Sequence, residues 1–276
     1  MDRYKELAKK QSFTEQEKLL REWEATKQND PDLYIAYFNY YFNLSSSVLS
    51  LTTEKPKGDS LALTKPGSAE PVGYIGGGSE YNKIYVDKAF KYIDRGIEKF
   101  PDRLDMRFGK VYVLGRIQEY SQLTDEIVKA INYSQTINNK WVWIDGKVVE
   151  NPKKHMLGLV QDYVIQLFNS GDEQGKYIKT IAETVLKYYP DHVENLSNLS
   201  IYFIINNDFD KALEPLLKAE KIAPTDPVIL GNIAFCYYSK RDKVNAVLYY
   251  ETFEKLGGEQ QKKIAAAKLA EIKSWK

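Results

Sequence analysis

Three features of the chain predict an all-α protein: an α-α superhelix of about five stacked helical hairpins with small β-hairpin insertions. The first is a self-match at a shift of 34 residues. Leu196 returns as Leu230, Asn198 as Asn232, Phe203 as Tyr237, Asp208 as Asp242, Ala212 as Ala246 and Leu216 as Tyr250. A fixed period of this length marks stacked hairpins, because one hairpin cannot bury its apolar face alone. The second is punctuation: Pro190, Pro224 and Gly258 fall at the same step, and proline or glycine there stops a helix. The third is composition. Hydrophobic residues make up 43% and charged residues 28%, enough apolar surface for an ordered chain rather than a disordered one.

Along the chain, residues 14–29 are charged and amphipathic and predict a helix. Asp30-Pro31-Asp32 breaks it, and 33–43 is a second helix rich in Tyr and Phe. Its partner is predicted at 84–99, because Ala89 stands twelve residues before Pro101 as Ala212 stands twelve before Pro224. Residues 44–82 are then an insertion between the two. Within it, 48–53 and 60–64 alternate about a turn at Pro56-Lys57-Gly58-Asp59, which predicts a β-hairpin. The Gly-, Pro- and Ser-rich stretch 66–79 predicts a mobile loop.

Residues 104–117 and 120–136 predict the next hairpin. In the run Trp141 to Val149, Asp145-Gly146 lies between β-rich segments, a strong two-residue turn signal. A lone two-stranded hairpin is marginal in water. This one is therefore expected to pack on the helices, or to pair with the 48–64 hairpin in a small sheet. Asn151-Pro152 opens the pair 152–169 and 173–188. Residues 191–205 and 209–222 follow, turning at Asn206-Asn207-Asp208, with Asp208 placed as an N-cap. Asp226-Pro227 opens the last pair, which turns at Arg241-Asp242, returns over 243–256 and stops at Gly257-Gly258. The Gln-, Lys- and Ala-rich segment 259–274 has the composition of a capping helix.

The recurring residues resemble the tetratricopeptide repeat. One copy reads Leu196, Leu199-Ser200, Phe203, Ala212, Leu216, Ala219, Pro224, and the next Leu230, Ile233-Ala234, Tyr237, Ala246, Tyr250, Phe253, Gly258. Ser200, Ala212, Ala234 and Ala246 are small where helices cross, and the aromatics fill wider gaps. On this reading 191–258 holds two well-matched units and 259–276 the C-terminal cap. Residues 1–190 are degenerate hairpins of the same kind, or a separate helical domain, with insertions at 44–82 and 137–151. The resemblance implies a protein-binding scaffold whose first helices line a concave groove. That face would carry Glu194, Ser197, Asn198, Ile201, Ile204 and Ile205 in one unit. In the next it would carry Val228, Gly231, Asn232, Phe235 and Tyr238. A family subtype that clamps a C-terminal carboxylate uses basic residues on this face. Here Glu194, Ser197, Ile201, Val228 and Phe235 stand at those places, so such a clamp is not expected. The two asparagines would either hold an extended peptide's backbone or bond neighbouring hairpins.

The remaining chemistry is sparse. Lys plus Arg number 39 against 38 Asp plus Glu, which gives no global attraction to nucleic acid or an anionic membrane. No segment reads as a secretory leader or a membrane span, and the single cysteine, Cys236, suits a reducing compartment, so a cytoplasmic location is expected. Gly76-Gly77-Gly78 is followed by Ser79-Glu80-Tyr81 instead of the Lys-Ser/Thr of a phosphate loop. His155 and His192 lack a second ligand at metal spacing and belong to no catalytic constellation. No metal, cofactor or enzymatic activity is expected. The expected function is binding of a protein segment or partner helix in the groove. Self-association is the alternative, and a ligand site or enzyme built on the inserts a remote third reading. Trp141, Trp143 and Tyr74 are candidates for a binding surface on the inserts.

Overall fold

The computed structural model describes residues 1–46, 49–55, 60–65, 67, 70–77 and 81–275. The described chain is mainly helical, its helices joined as consecutive antiparallel hairpins. It divides into two compact units: 1–119 with 134–155, and 120–133 with 156–276. Among the described residues no helix is long and apolar enough to cross a membrane.

The first unit opens with α1 (Asp2–Lys9) and α2 (Phe13–Thr26), then α3 (Pro31–Ser46), α4 (Lys83–Lys99) and α5 (Leu104–Arg116). The short α1 has no counterpart in the sequence expectation. The pairing of α3 with α4 across the insertion is as expected. Phe38, Ala89, Ile93, Met106 and Val113 form one buried cluster, and Tyr37 stacks on Tyr92 with ring centres 4.2 Å apart. The Asn82 N–H donates to the Ser45 carbonyl at 3.1 Å, so the insertion leaves and re-enters the hairpin at nearly one point. Beneath these helices the Arg103 guanidinium is buried and bonds Asp32 at 2.8 Å and Asp105 at 2.7 Å.

The insertion differs from expectation. It is a three-stranded antiparallel sheet, β1 (Leu49–Thr52), β2 (Ser60–Thr64) and β3 (Pro71–Gly77), in the order β1-β3-β2. The runs predicted to pair with each other both pair instead with the stretch read as a mobile loop: Leu51 and Leu61 each oppose Ile75. Backbone bonding on both edges orders β3, and its glycines hide the period-2 alternation by which a strand is recognised. The expected turn at 56–59, together with Val48, Pro66, Ser68, Ala69, Gly78 and Ser79, lies outside the described residues.

The Asp-Gly signal is realised in part. Asp145 and Gly146 both occupy the left-handed region, at φ 61° and 66°, which the Asp-Gly pair tolerates. The arms form isolated bridges rather than strands. They do not join the inserted sheet. Val142 instead bonds the start of α5, accepting from the Leu104 N–H at 3.0 Å and donating to the Asp102 carbonyl at 3.1 Å. This is the packed-on-helices alternative, and it leaves Trp141 fully buried.

The second unit holds most of α6 (Tyr120–Thr136) and of α7 (Pro152–Asn169). It continues through α8 (Gly175–Tyr188), α9 (Val193–Ile205), α10 (Phe209–Ile222), α11 (Pro227–Ser239), α12 (Lys243–Leu256) and α13 (Glu259–Lys273). The 34-residue period reappears as geometry. Asp208 and Asp242 each cap the following helix through a side-chain oxygen. Asn207 and Arg241 each turn the chain at positive φ. Ser200, Ala212, Ala234 and Ala246 are wholly buried, as crossing points require. Cys236 lies in the same core, and burial pushes its thiol up to about 12, which makes it an inert packing residue.

Candidate functional site

In the second unit α7, α9 and α11 border a concavity of about 490 Å³. The recurrence of 3.6 residues per turn puts residues i, i+3, i+4 and i+7 on one helix face. On α9 that face carries Glu194, Ser197, Asn198, Ile201, Ile204 and Ile205. On α11 it carries Val228, Asn232 and Phe235. All nine line the concavity. Burial of the opposite faces holds these helices in place: Leu196 and Ser200 of α9 and Ile233 and Cys236 of α11 point into the core. The floor is apolar yet open to solvent, with Val228 62% and Phe235 39% exposed.

Two expected residues do not join this wall. Gly231 sits where α12 crosses, and a Cβ there would meet Phe253 Cε2 at 2.9 Å, so glycine is required by close packing. The Tyr238 hydroxyl bonds Glu271, and its ring lies 5.2 Å from that of Trp275. The C-terminal segment therefore engages Tyr238. Sequence reasoning also missed part of the wall: Gln161 and Phe168 of α7, with Val193, Asp226 and Ile229. Gln161 and Phe168 stand seven residues apart on one helix face, with exposed Ile165 between them. The apolar residues on an otherwise wet face were the available signal.

The polar groups of the floor are largely engaged with one another. Asn198 Nδ2 donates to Gln161 Oε1 at 2.7 Å, and Gln161 Nε2 donates back to Asn198 Oδ1 at 3.4 Å. Asn232 Nδ2 donates to Ser197 Oγ at 3.2 Å. Both asparagines thus bond neighbouring hairpins, the second of the two roles their sequence allowed. Charge in the lining comes from Glu194 and Asp226 alone among the described residues, both acidic. His192 Nδ1 lies 2.9 Å from Asn195 Nδ2 and 3.5 Å from Glu194.

The candidates on the inserts are scattered. Trp141 is fully buried, with the Arg107 guanidinium 5.7 Å from its ring, so it offers no binding surface. Its neighbour Val142 is bonded to the start of α5, which fixes this segment against the helices. Trp143 is half-buried with its ring against His155, and Tyr74 is half-buried in β3. A second concavity, of about 340 Å³ in the first unit, is lined by Tyr34, Tyr37 and Tyr92. Its two carboxylates, Glu24 and Glu98, balance its two cations, Arg95 and Lys99, so it favours no charge class of ligand. No group of three His, Cys, Asp or Glu suited to a metal occurs among the described residues.

No family model and no curated protein matches the chain. Among solved structures it is similar to the crystal structure of yeast Tom70, with a TM-score of 0.36 at 12% identity. That likeness covers 95% of this chain and 59% of the other, so the chain spans somewhat over half of that protein's length. A likeness at this level says nothing about what the groove holds.

Proposed function

We propose that the protein is a non-enzymatic interaction module that holds a segment of a protein partner in the groove of α7, α9 and α11. The observation that carries this is the exposed apolar floor: Phe168, Val228 and Phe235 stay open to water while Ile201, Ile204 and Ile205 extend the same surface. Contiguous apolar surface of this kind usually has a partner, because exposing it costs free energy that docking recovers. Anchoring side chains in such a groove carry most of the binding energy.

The test compares the intact chain with an Ile201→Ala/Phe235→Ala variant in partner capture. The variant is expected to keep its helical circular dichroism and lose the captured protein. Equal capture by both would place binding elsewhere. A second reading, self-association, is favoured by a separate stripe on α12, where Val244, Leu248 and Leu256 are 78%, 55% and 41% exposed. These residues recur at steps of four and eight on one helix face. Mass that rises with concentration, and that falls back in a Val244→Glu/Leu248→Glu variant, would favour that reading.

A further inference from the structure

We infer that the occupant of the α7–α9–α11 groove is a basic amphipathic helix. The inference rests on the reading of this groove as a docking surface, and adds the occupant's backbone state and charge.

The backbone state follows from hydrogen-bond supply. An extended segment brings an unpaired N–H or C=O at every residue, and each must find a partner when it is buried. The floor offers few groups in the right order. The amides of Asn198 and Gln161 bond each other, and Ser197 Oγ accepts from Asn232. What remains on these side chains is scattered: Asn232 Oδ1, the second N–H of Asn232 and of Gln161, and the Ser197 hydroxyl hydrogen. Scattered groups do not make the regular ladder of donors and acceptors that a strand requires. A helix satisfies its own backbone and presents only side chains, with an apolar stripe at i, i+3, i+4 and i+7. The groove matches that requirement with Ile201, Ile204, Val228 and Phe235.

The charge follows from the lining. Its two charged residues are Glu194 and Asp226, and Lys or Arg is absent from the lining among the described residues. Asp226 Oδ1 caps α11 by accepting from the N–H groups of Val228 and Ile229. The whole chain carries a formal charge of +1, so the preference is local to this site. A Lys or Arg flanking the apolar stripe meets both carboxylates. A Glu there meets repulsion and loses affinity.

The experiment uses the full chain and three labelled peptides of about 18 residues, long enough to hold a helix on a surface. They are a Leu/Lys helix, a Leu/Glu helix with the same Leu stripe, and the Leu/Lys peptide broken by two central prolines. Anisotropy titrations at about 0.15 M salt, where charges more than about 8 Å apart are largely screened and close pairs still act, are expected to rank them. The Leu/Lys helix should bind at least ten-fold more tightly than either of the others. Glu194→Gln/Asp226→Asn, which keeps the cap because Asn caps as well as Asp, should shrink the Lys-over-Glu preference at least five-fold. Phe235→Ala should weaken the Leu/Lys helix at least ten-fold. Equal binding of the Leu/Glu helix, or of the proline-broken peptide, in a Phe235-dependent manner overturns the inference and leaves the groove as a docking site. Binding that ignores Phe235→Ala, or no binding of any of the three, overturns the docking reading as well.

Discussion

Asn198 and Gln161 hold each other's side-chain amides across α9 and α7, one bond at 2.7 Å and the return bond at 3.4 Å. Asn198 is 4% exposed, so its partner groups are spent inside the protein. Gln161 is half-buried at the groove and its amide can turn to water, whereas Asn198 cannot. Gln161→Ala, which strands the Asn198 amide, is therefore expected to cost about 1–3 kcal/mol, the penalty of an unsatisfied buried polar group. Asn198→Ala made second should cost clearly less than it does alone. Urea unfolding of the two single variants and the double checks this, and additive losses would show that the pair is not coupled.

A methyl group at position 231 tests which way that residue faces. Gly231→Ala puts a Cβ 2.9 Å from the Phe253 ring. Phe253 belongs to the buried cluster with Leu230, Ala246 and Tyr250, so the ring has little room to yield. Overpacking of this kind costs about 1–3 kcal/mol. Thermal unfolding should register the loss while binding by the folded fraction stays unchanged. A neutral result would return Gly231 to the groove wall.

The repeat was legible because it is written in residues that shape the backbone. Asp208 and Asp242 cap, Asn207 and Arg241 turn, and four small residues sit at crossings, all at the 34-residue step. The nine groove residues followed from the same register. What stayed hidden depends on partners far away in sequence. β3 is ordered by two strands that flank it, not by its own alternation. Gln161 lies outside the clear repeats, and its pairing with Asn198 spans 37 residues. Tyr238 read as groove because its register says so, and only the position of α13 shows that Glu271 and Trp275 engage it. Helix existence is local information, whereas the covering of a surface is not.

Acid should unfasten the two repeat caps together. Hydrogen bonds from Lys211 hold the Asp208 carboxyl below its usual range, and those from the Asn245 side chain and backbone do the same for Asp242. A carboxyl lowered in the folded state stabilises it above the unfolded pKa and loses that contribution as pH falls through the folded one. The stability of wild type should thus decline below about pH 4, the ordinary Asp range. Asp208→Asn/Asp242→Asn keeps both caps without the titration. Its unfolding midpoint should fall less steeply from pH 4 to pH 3 than that of wild type, and parallel curves would exclude the caps as the source.

The largest single-residue loss is expected in the first unit, at Arg103. Its side chain is 3% exposed and bonds Asp32 on α3 and Asp105 on α5. Burial works against the charge, but the hydrogen bonds to Asp105 and Asp32 more than offset it and hold the guanidinium's pKa raised. The same residue bridges through its backbone to Val142, so one position joins α3, α5 and the Trp141 segment. Cutting a buried pair by removing one partner strands the other charge, at about 3–5 kcal/mol. Arg103→Ala strands two. Trp141 precedes Val142 and is fully buried beside Arg107, so its fluorescence should shift to the red as the variant loosens. Asp32→Asn, which leaves Asp105 in place, should cost less and keep the emission blue. An Arg103→Ala protein as stable as wild type would mean that the two carboxylates find water instead, and that the junction is held by its apolar contacts alone.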